Sequence, residues 1–188
     1  MAVFRKTYGQ RCKDSNGGVR NVYLFNYIEY GRKDIQISQN ELRAFPSNTL
    51  YQVEGLKNAN FNETTAANAQ GYRYDQTLNL TFSKADDYFD FYEMVNTYVR
   101  VLVEDNNKNH WLLGAYNGMQ TDNYGKQTGA NKQELNGYTI TLSGSERVEA
   151  PYVSSTEVIQ PYTSTPILAS GSILASSGIL ASSVELTF

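Results

Sequence analysis

The run Tyr98-Val99-Arg100-Val101-Leu102-Val103, followed by Asp105-Asn106-Asn107-Lys108-Asn109 and then Trp111-Leu112-Leu113-Gly114-Ala115-Tyr116, decides the fold class. Its first part is short, rich in β-branched residues and bounded by turn formers, which is the signature of a strand. The Asp/Asn cluster forms turns because its side chains bond their own backbone. The third part is the returning strand, so the run predicts a β-hairpin.

Similar signals flank it. Arg20–Tyr30 alternates around Val22, Leu24 and Ile28 and reads as a strand. Gly31-Arg32-Lys33-Asp34 is a turn signal, and Ile35–Ser38 is read as the second arm of a hairpin with Arg20–Tyr30. Leu50–Val53, Tyr72–Tyr74, Leu78–Phe82 and Tyr138–Leu142 are further strands. Residues 58–71 and 117–136 are polar and rich in Asn, Ala and Gly, and are expected as long loops that serve as connecting arms. The period changes once. Ser83 precedes Ala85, Tyr88, Phe89, Tyr92 and Val95 at helical spacing, with Asp86 and Asp87 in the first turn, so residues 84–96 are expected as a helix. The reading is mainly β: an antiparallel β-sandwich or barrel with one flanking helix.

Charge divides the chain. All 16 Lys and Arg lie at or before Arg147, and of the 19 acids only Glu149, Glu157 and Glu185 follow it, so the charges through Arg147 cancel. The expected organisation is a basic N-terminal arm over 1–19, a β domain over 20–147 and an extended arm over 148–188. A net charge of −3 argues against tight general binding to phosphates. The single cysteine, Cys12, excludes a disulfide within the chain. No leader is expected from the N-terminal residues, and no run is long and apolar enough to span a membrane. Tyrosine is abundant, at 15 residues against 8 Phe. That suits half-wet strand surfaces and interfaces.

The arm ends in a repeat. Ile-Leu-Ala-Ser occurs at 167–170, 173–176 and 179–182. A period of six is even, so an extended chain puts Ile167, Ile173 and Ile179 on one side and Leu168, Leu174 and Leu180 on the other. These six residues are the expected assembly interface. Burying each is worth about 1.5–3 kcal/mol. Ordering a Ser- and Gly-rich backbone costs about 1–2 kcal/mol per residue. Main-chain pairing with a sheet edge is therefore needed as well.

The pattern of a catalytic site is absent. His110, the only histidine, lacks a partner constellation and is expected to be a strand-edge surface residue. Asp86, Asp87, Asp90 and Glu93 read as a solvated helix face, and Asp122-Asn123-Tyr124-Gly125 lacks the alternating ligands of a calcium loop. No catalytic, metal-binding or cofactor-binding residue is assigned, and the chain is read as non-enzymatic.

The strings Val99–Asn107, Trp111–Gly114, Asn136–Gly144 and Ala150-Pro151-Tyr152, in that order, resemble small tail and neck proteins of phages that infect Bacteroidales, the crAss-like podophages first among them. The resemblance covers residues 83–152. It implies a tail-tube-like fold in a virion ring protein that extends the DNA ejection channel and connects neighbouring tail components. The implied partners are copies of the chain in a sixfold or twelvefold ring, adjacent tail and portal proteins, and genomic DNA passing transiently through the lumen, without a membrane. The implied location is the tail or neck of the virion, and the host cytoplasm during assembly. Two other classes stay open. One is a module binding carbohydrate or a host surface through Tyr, Trp111 and Asn-rich loops. The other is an acid-only enzyme such as a glycosidase, which needs two carboxylates about 5–10 Å apart.

Overall fold

Val22-Tyr23-Leu24-Phe25 has no polar break, and the computed structural model of the chain shows both faces of that strand buried. The structure describes residues 16–46, 48–53, 56–68, 71–82, 94–131, 133–154 and 165–167. Among them, β1 (Val19–Asn26), β4 (Tyr51–Val53), β5 (Leu56–Asn68), β6 (Gly71–Phe82), β7 (Tyr98–Asp105), β8 (His110–Leu113), β9 (Met119–Gln127), β10 (Gly137–Glu146) and β11 (Thr165–Ile167) form one sheet. Its order is β11-β4-β1-β7-β9-β10-β6-β5, with β8 also paired to β7. All pairings in this sheet are antiparallel except β11 with β4. A second sheet contains β2 (Gln36–Ser38) and β3 (Glu41–Ala44). The described chain is mainly β and antiparallel.

The large sheet wraps on itself, because β5 returns against β1. Val22, Leu24, Val53, Ala59, Leu78, Leu80, Phe82, Val101, Val103, Ile140 and Leu142 meet inside it. A second core lies on the other face of β1 and β7, where Tyr23, Phe25 and Leu102 pack with Ile35, Leu42, Phe45 and Val153. Alternation therefore assigns successive residues of β1 and β7 to two different cores, which explains their unbroken apolar runs.

The expected hairpin between Arg20–Tyr30 and Ile35–Ser38 is not formed. β1 stops at Asn26 and takes β4 and β7 as its neighbours, while β2 pairs with β3. A strand buried on both faces needs partners along both edges, and the short β2 cannot supply one. The β7–β8 hairpin has the expected place, with Val101 opposite Leu113 and Glu104 opposite His110.

Both expected loops contain strand, over residues 58–68 of the first and 119–127 of the second. Residues 56–68 pair with β6 from Leu56↔Phe82 to Asn68↔Gly71, and 119–127 pair with β10. Their alternation is masked by composition. The more buried positions of β5 include Ala59, Phe61 and Glu63, while Asn58, Asn60, Asn62 and Thr64 are exposed. Asn and Ala are poor strand formers in isolation, and pairing overrides that preference.

Of the expected helix, Ser83–Glu93 lie outside the described residues, with Asp86, Asp87, Asp90 and Glu93 among them. Met94–Thr97 form a tight turn in which Thr97 N–H donates to the Met94 carbonyl at 3.3 Å. The composition break near Glu149 is not a break in packing. Ala150 and Val153 are buried, and Leu42 N–H donates to the Tyr152 carbonyl at 2.8 Å. Residues 150–153 thus strap the β2–β3 hairpin to the edge of β8, where Val153 N–H reaches the His110 carbonyl. At the other terminus, residues 1–15 lie outside the described residues. Asn16 is tied to the β7–β8 turn, where its N–H donates to Asn107 Oδ1 and its carbonyl accepts from Asn107 Nδ2.

Candidate functional site

Two features stand out, a four-stranded stretch of the large sheet with a distinctive outer face and a buried polar latch. The stretch is β9-β10-β6-β5. Each strand runs opposite to its neighbour, so β9 and β5 also run opposite to each other. Among the described residues β5 has no ladder beyond that with β6, and β9 meets β7 only through Met119 and Gln120. With Leu78, Leu80, Ile140 and Leu142 facing the core, alternation places Thr77, Asn79, Thr81, Thr139, Thr141 and Ser143 on the outer face. They align with Asn58, Asn60 and Asn62 of β5 and with Asn123 and Gly125 of β9. These paired residues carry no charge, and exposed Lys57 and Asp122 stand beside them at the two bulges. Thr141 Oγ1 donates to Asn79 Oδ1 at 2.9 Å across this band. The first charges along β6 toward the hairpin tip are the half-buried Asp75 and the exposed Arg73, paired at 2.9 Å.

The latch holds residues 114–118, between β8 and β9. Gly114 and Gly118 have φ of 63° and 78°, and the chain leaves the edge of β7 there to join β10. Side chains from several strands tie this loop down. Gln76 Oε1 accepts from Gly114 N–H at 2.9 Å. Glu146 Oε1 accepts from Tyr116 N–H at 3.0 Å and Asn117 N–H at 2.7 Å. Arg100 Nε donates to the Ala115 carbonyl at 3.0 Å, and its Nη1 donates to the Ile28 carbonyl at 2.8 Å. Gln76 also donates to Glu63 Oε2, which accepts Ala150 N–H at 2.9 Å, so the same network reaches the 150–153 strap.

Arg100 is fully buried, with its guanidinium 4.5 Å from the Tyr27 ring centroid and 4.7 Å from that of Tyr30. Burial lowers its pKa, against the opposing pull of Tyr27, Tyr30 and Glu146. Burial raises the pKa of Glu146, against the N–H donors of Asn117 and Tyr116 and the charge of Arg100. Arg100 Nη2 and Glu146 Oε2 have no hydrogen-bond partner. These groups fix a loop. Several tyrosines are employed here: Tyr27 Oη donates to the Tyr116 carbonyl, and Tyr116 Oη to that of Ile35.

The residues singled out in the sequence are dispersed. His110 Nε2 lies 4.0 Å from Glu104 Oε2 on the β7–β8 hairpin. Asp122–Gly125 belong to β9, not to a loop, and no group of three or more potential metal ligands occurs among the described residues. Trp111 borders a groove of about 350 Å³ with Phe61, Asn16, Asn60, Asp105 and Asn107. Two of the polar groups on its rim are already engaged: Asn107 binds Asn16 and Asp105, and Asp105 also accepts from Asn109. Of the expected assembly residues only Ile167 is described. It lies in β11 opposite Val53 of β4. Leu168, Ile173, Leu174, Ile179 and Leu180 lie outside the described residues. Sequence reading missed Gln76, Arg100 and Glu146. Only Arg100 carried a signal, as one charge inside Val99–Val103.

No family model, no curated protein and no solved structure matches the chain.

Proposed function

We propose that the protein is a structural subunit that assembles with copies of itself into a ring, and that this ring belongs to a phage tail or neck, where it extends the DNA ejection channel and joins neighbouring tail components. The observation that carries the reading is the parity of the β9-β10-β6-β5 sheet. Four alternating strands end in edges of opposite direction. Copies repeated head to tail therefore bring β9 of one against β5 of the next as an antiparallel pair, the more stable kind. Ring closure then covers edges that would otherwise invite aggregation. The Asn/Thr band suits the lumen side, since its paired residues offer phosphates no cation to hold. The tail-tube-like fold and the virion location come from the resemblance of the sequence to tail and neck proteins, and the flanking helix from the helical spacing within residues 84–96.

Electron microscopy of the purified full chain tests the reading, with closed rings expected. Asn60→Pro and Phe61→Pro sharpen it. Adjacent strand residues point their N–H groups in opposite directions, so one substitution cuts into the β6 ladder and the other removes a donor on the outer edge. The variant that keeps the wild-type melting temperature should lose the ring. A chain that stays monomeric from micromolar to millimolar concentration, with its fold intact, would sink the proposal.

A further inference from the structure

We infer that the outer edge of β4 is an acceptor site for the C-terminal arm of a second copy, filled by any of three register-equivalent segments; the inference rests on the ring reading and specifies one of its contacts. β4 is bound to β1 along one edge, with Tyr23↔Gln52 and Leu24↔Tyr51. Along the other it takes Thr165–Ile167 as a parallel strand, with Thr165↔Tyr51, Pro166↔Gln52 and Ile167↔Val53. The acceptor is held rigidly from both sides. Val53 is buried in the core within the large sheet, while Leu50 is buried in the second core.

The donor is not unique. Ile167 opens the first Ile-Leu-Ala-Ser unit, and the same unit returns at Ile173 and Ile179. Gly171-Ser172-Ile173 and Ser177-Gly178-Ile179 therefore present the same register as Thr165-Pro166-Ile167. An even period leaves the facing of every position unchanged. The three segments differ at their first and middle positions, and the middle one changes the backbone. Pro166 has no N–H, whereas Ser172 and Gly178 each have one. The second and third segments thus offer one main-chain donor more than the first.

The donor need not come from the same chain. Exchange of an element between identical copies preserves every contact it makes, so it is a low-cost route to assembly. Extended, the stretch from Ile167 to Ile179 covers about 40 Å at about 3.3–3.6 Å per residue. An arm of that reach is long enough to carry a later unit off its own β4 toward the β4 of a neighbour. The arm beyond Arg147 has no Lys or Arg, so contact with a neighbour's sheet edge is chiefly main-chain and apolar, a strand-addition mode.

Disulfide trapping tests this directly. In a Cys12→Ser background, Gln52→Cys is combined in turn with Pro166→Cys, Ser172→Cys and Gly178→Cys. Two populations of the full chain with different tags are mixed, assembled and oxidised, then separated on a non-reducing gel. The expected result is covalent bonding between tags for the Ser172 and Gly178 pairs in assembled protein, with cross-linking within the chain when the Pro166 pair is diluted. Rings whose cross-links all stay within single chains, or that form none with the 172 and 178 variants, would overturn the inference and leave the ring reading standing. Protein that never assembles, yet cross-links 52 to 166 internally, would overturn both.

Discussion

Asn117 N–H lies 2.7 Å from Glu146 Oε1, which ties the loop after β8 to the end of β10, 29 residues later in the chain. The same oxygen accepts Tyr116 N–H. Two adjacent donors converge on one buried carboxylate oxygen, and Arg100 fixes the neighbouring carbonyl from the other side.

This geometry fixes a pH response. Burial raises the pKa of Glu146, so between the ordinary carboxylate range and the raised value the folded protein holds a proton that the unfolded chain has released. The contribution of Glu146 is thus greatest below the ordinary range and is lost as pH rises through the folded value. Denaturant titrations of wild type and Glu146→Gln from pH 4 to pH 7 should show wild type gaining on the variant as pH falls. A stability difference independent of pH would refute this.

Arg100 is a second test. Arg100→Met removes donors to the Ala115 and Ile28 carbonyls and leaves Glu146 buried without its nearby cation. Breaking such a buried arrangement costs about 3–5 kcal/mol. Arg100→Lys should rescue little, because an ammonium lacks the planar fork that binds two carbonyls and stacks on Tyr27 and Tyr30. Equal stabilities for wild type and the Lys variant in urea would show that charge alone matters.

Gly118 tests the loop backbone. Its φ is 78°, and a Cβ there would meet Tyr27 Cδ2 at 2.7 Å. Gly118→Ala should cost about 1–3 kcal/mol, with a matching fall in melting temperature. An unchanged melting curve would mean that Tyr27 swings away freely.

His110→Ala should lower stability by about 1 kcal/mol or less, since its side chain makes only a 4.0 Å approach to Glu104. Ring formation should be unaffected. Failed assembly of a normally folded variant would give His110 a role that its surroundings do not suggest.

The legible parts of the fold were those whose side chains advertise their faces. Val99–Val103 and Tyr138–Leu142 alternate or run apolar and were read correctly as strands. β5 and β9 were not, because Asn and small residues occupy positions where a sequence reader looks for Val or Ile. The pairing of β1 with β7 was hidden for a different reason, since proximity in sequence favoured Ile35–Ser38 and only burial on both faces of β1 argued for distant neighbours. The latch depends on side chains meeting from β6, β7 and β10, and nothing local in Gln76 or Glu146 marks them for it.

The β1–β7 pairing also constrains synthesis. Asn21 bonds Glu104 across a separation of 83 residues, and translation proceeds at about 5–20 residues per second. For several seconds after β1 leaves the ribosome, a strand with two apolar faces waits for its partner to be made. The order of synthesis therefore leaves Val22–Phe25 without its long antiparallel partner until Tyr98–Asp105 has been made.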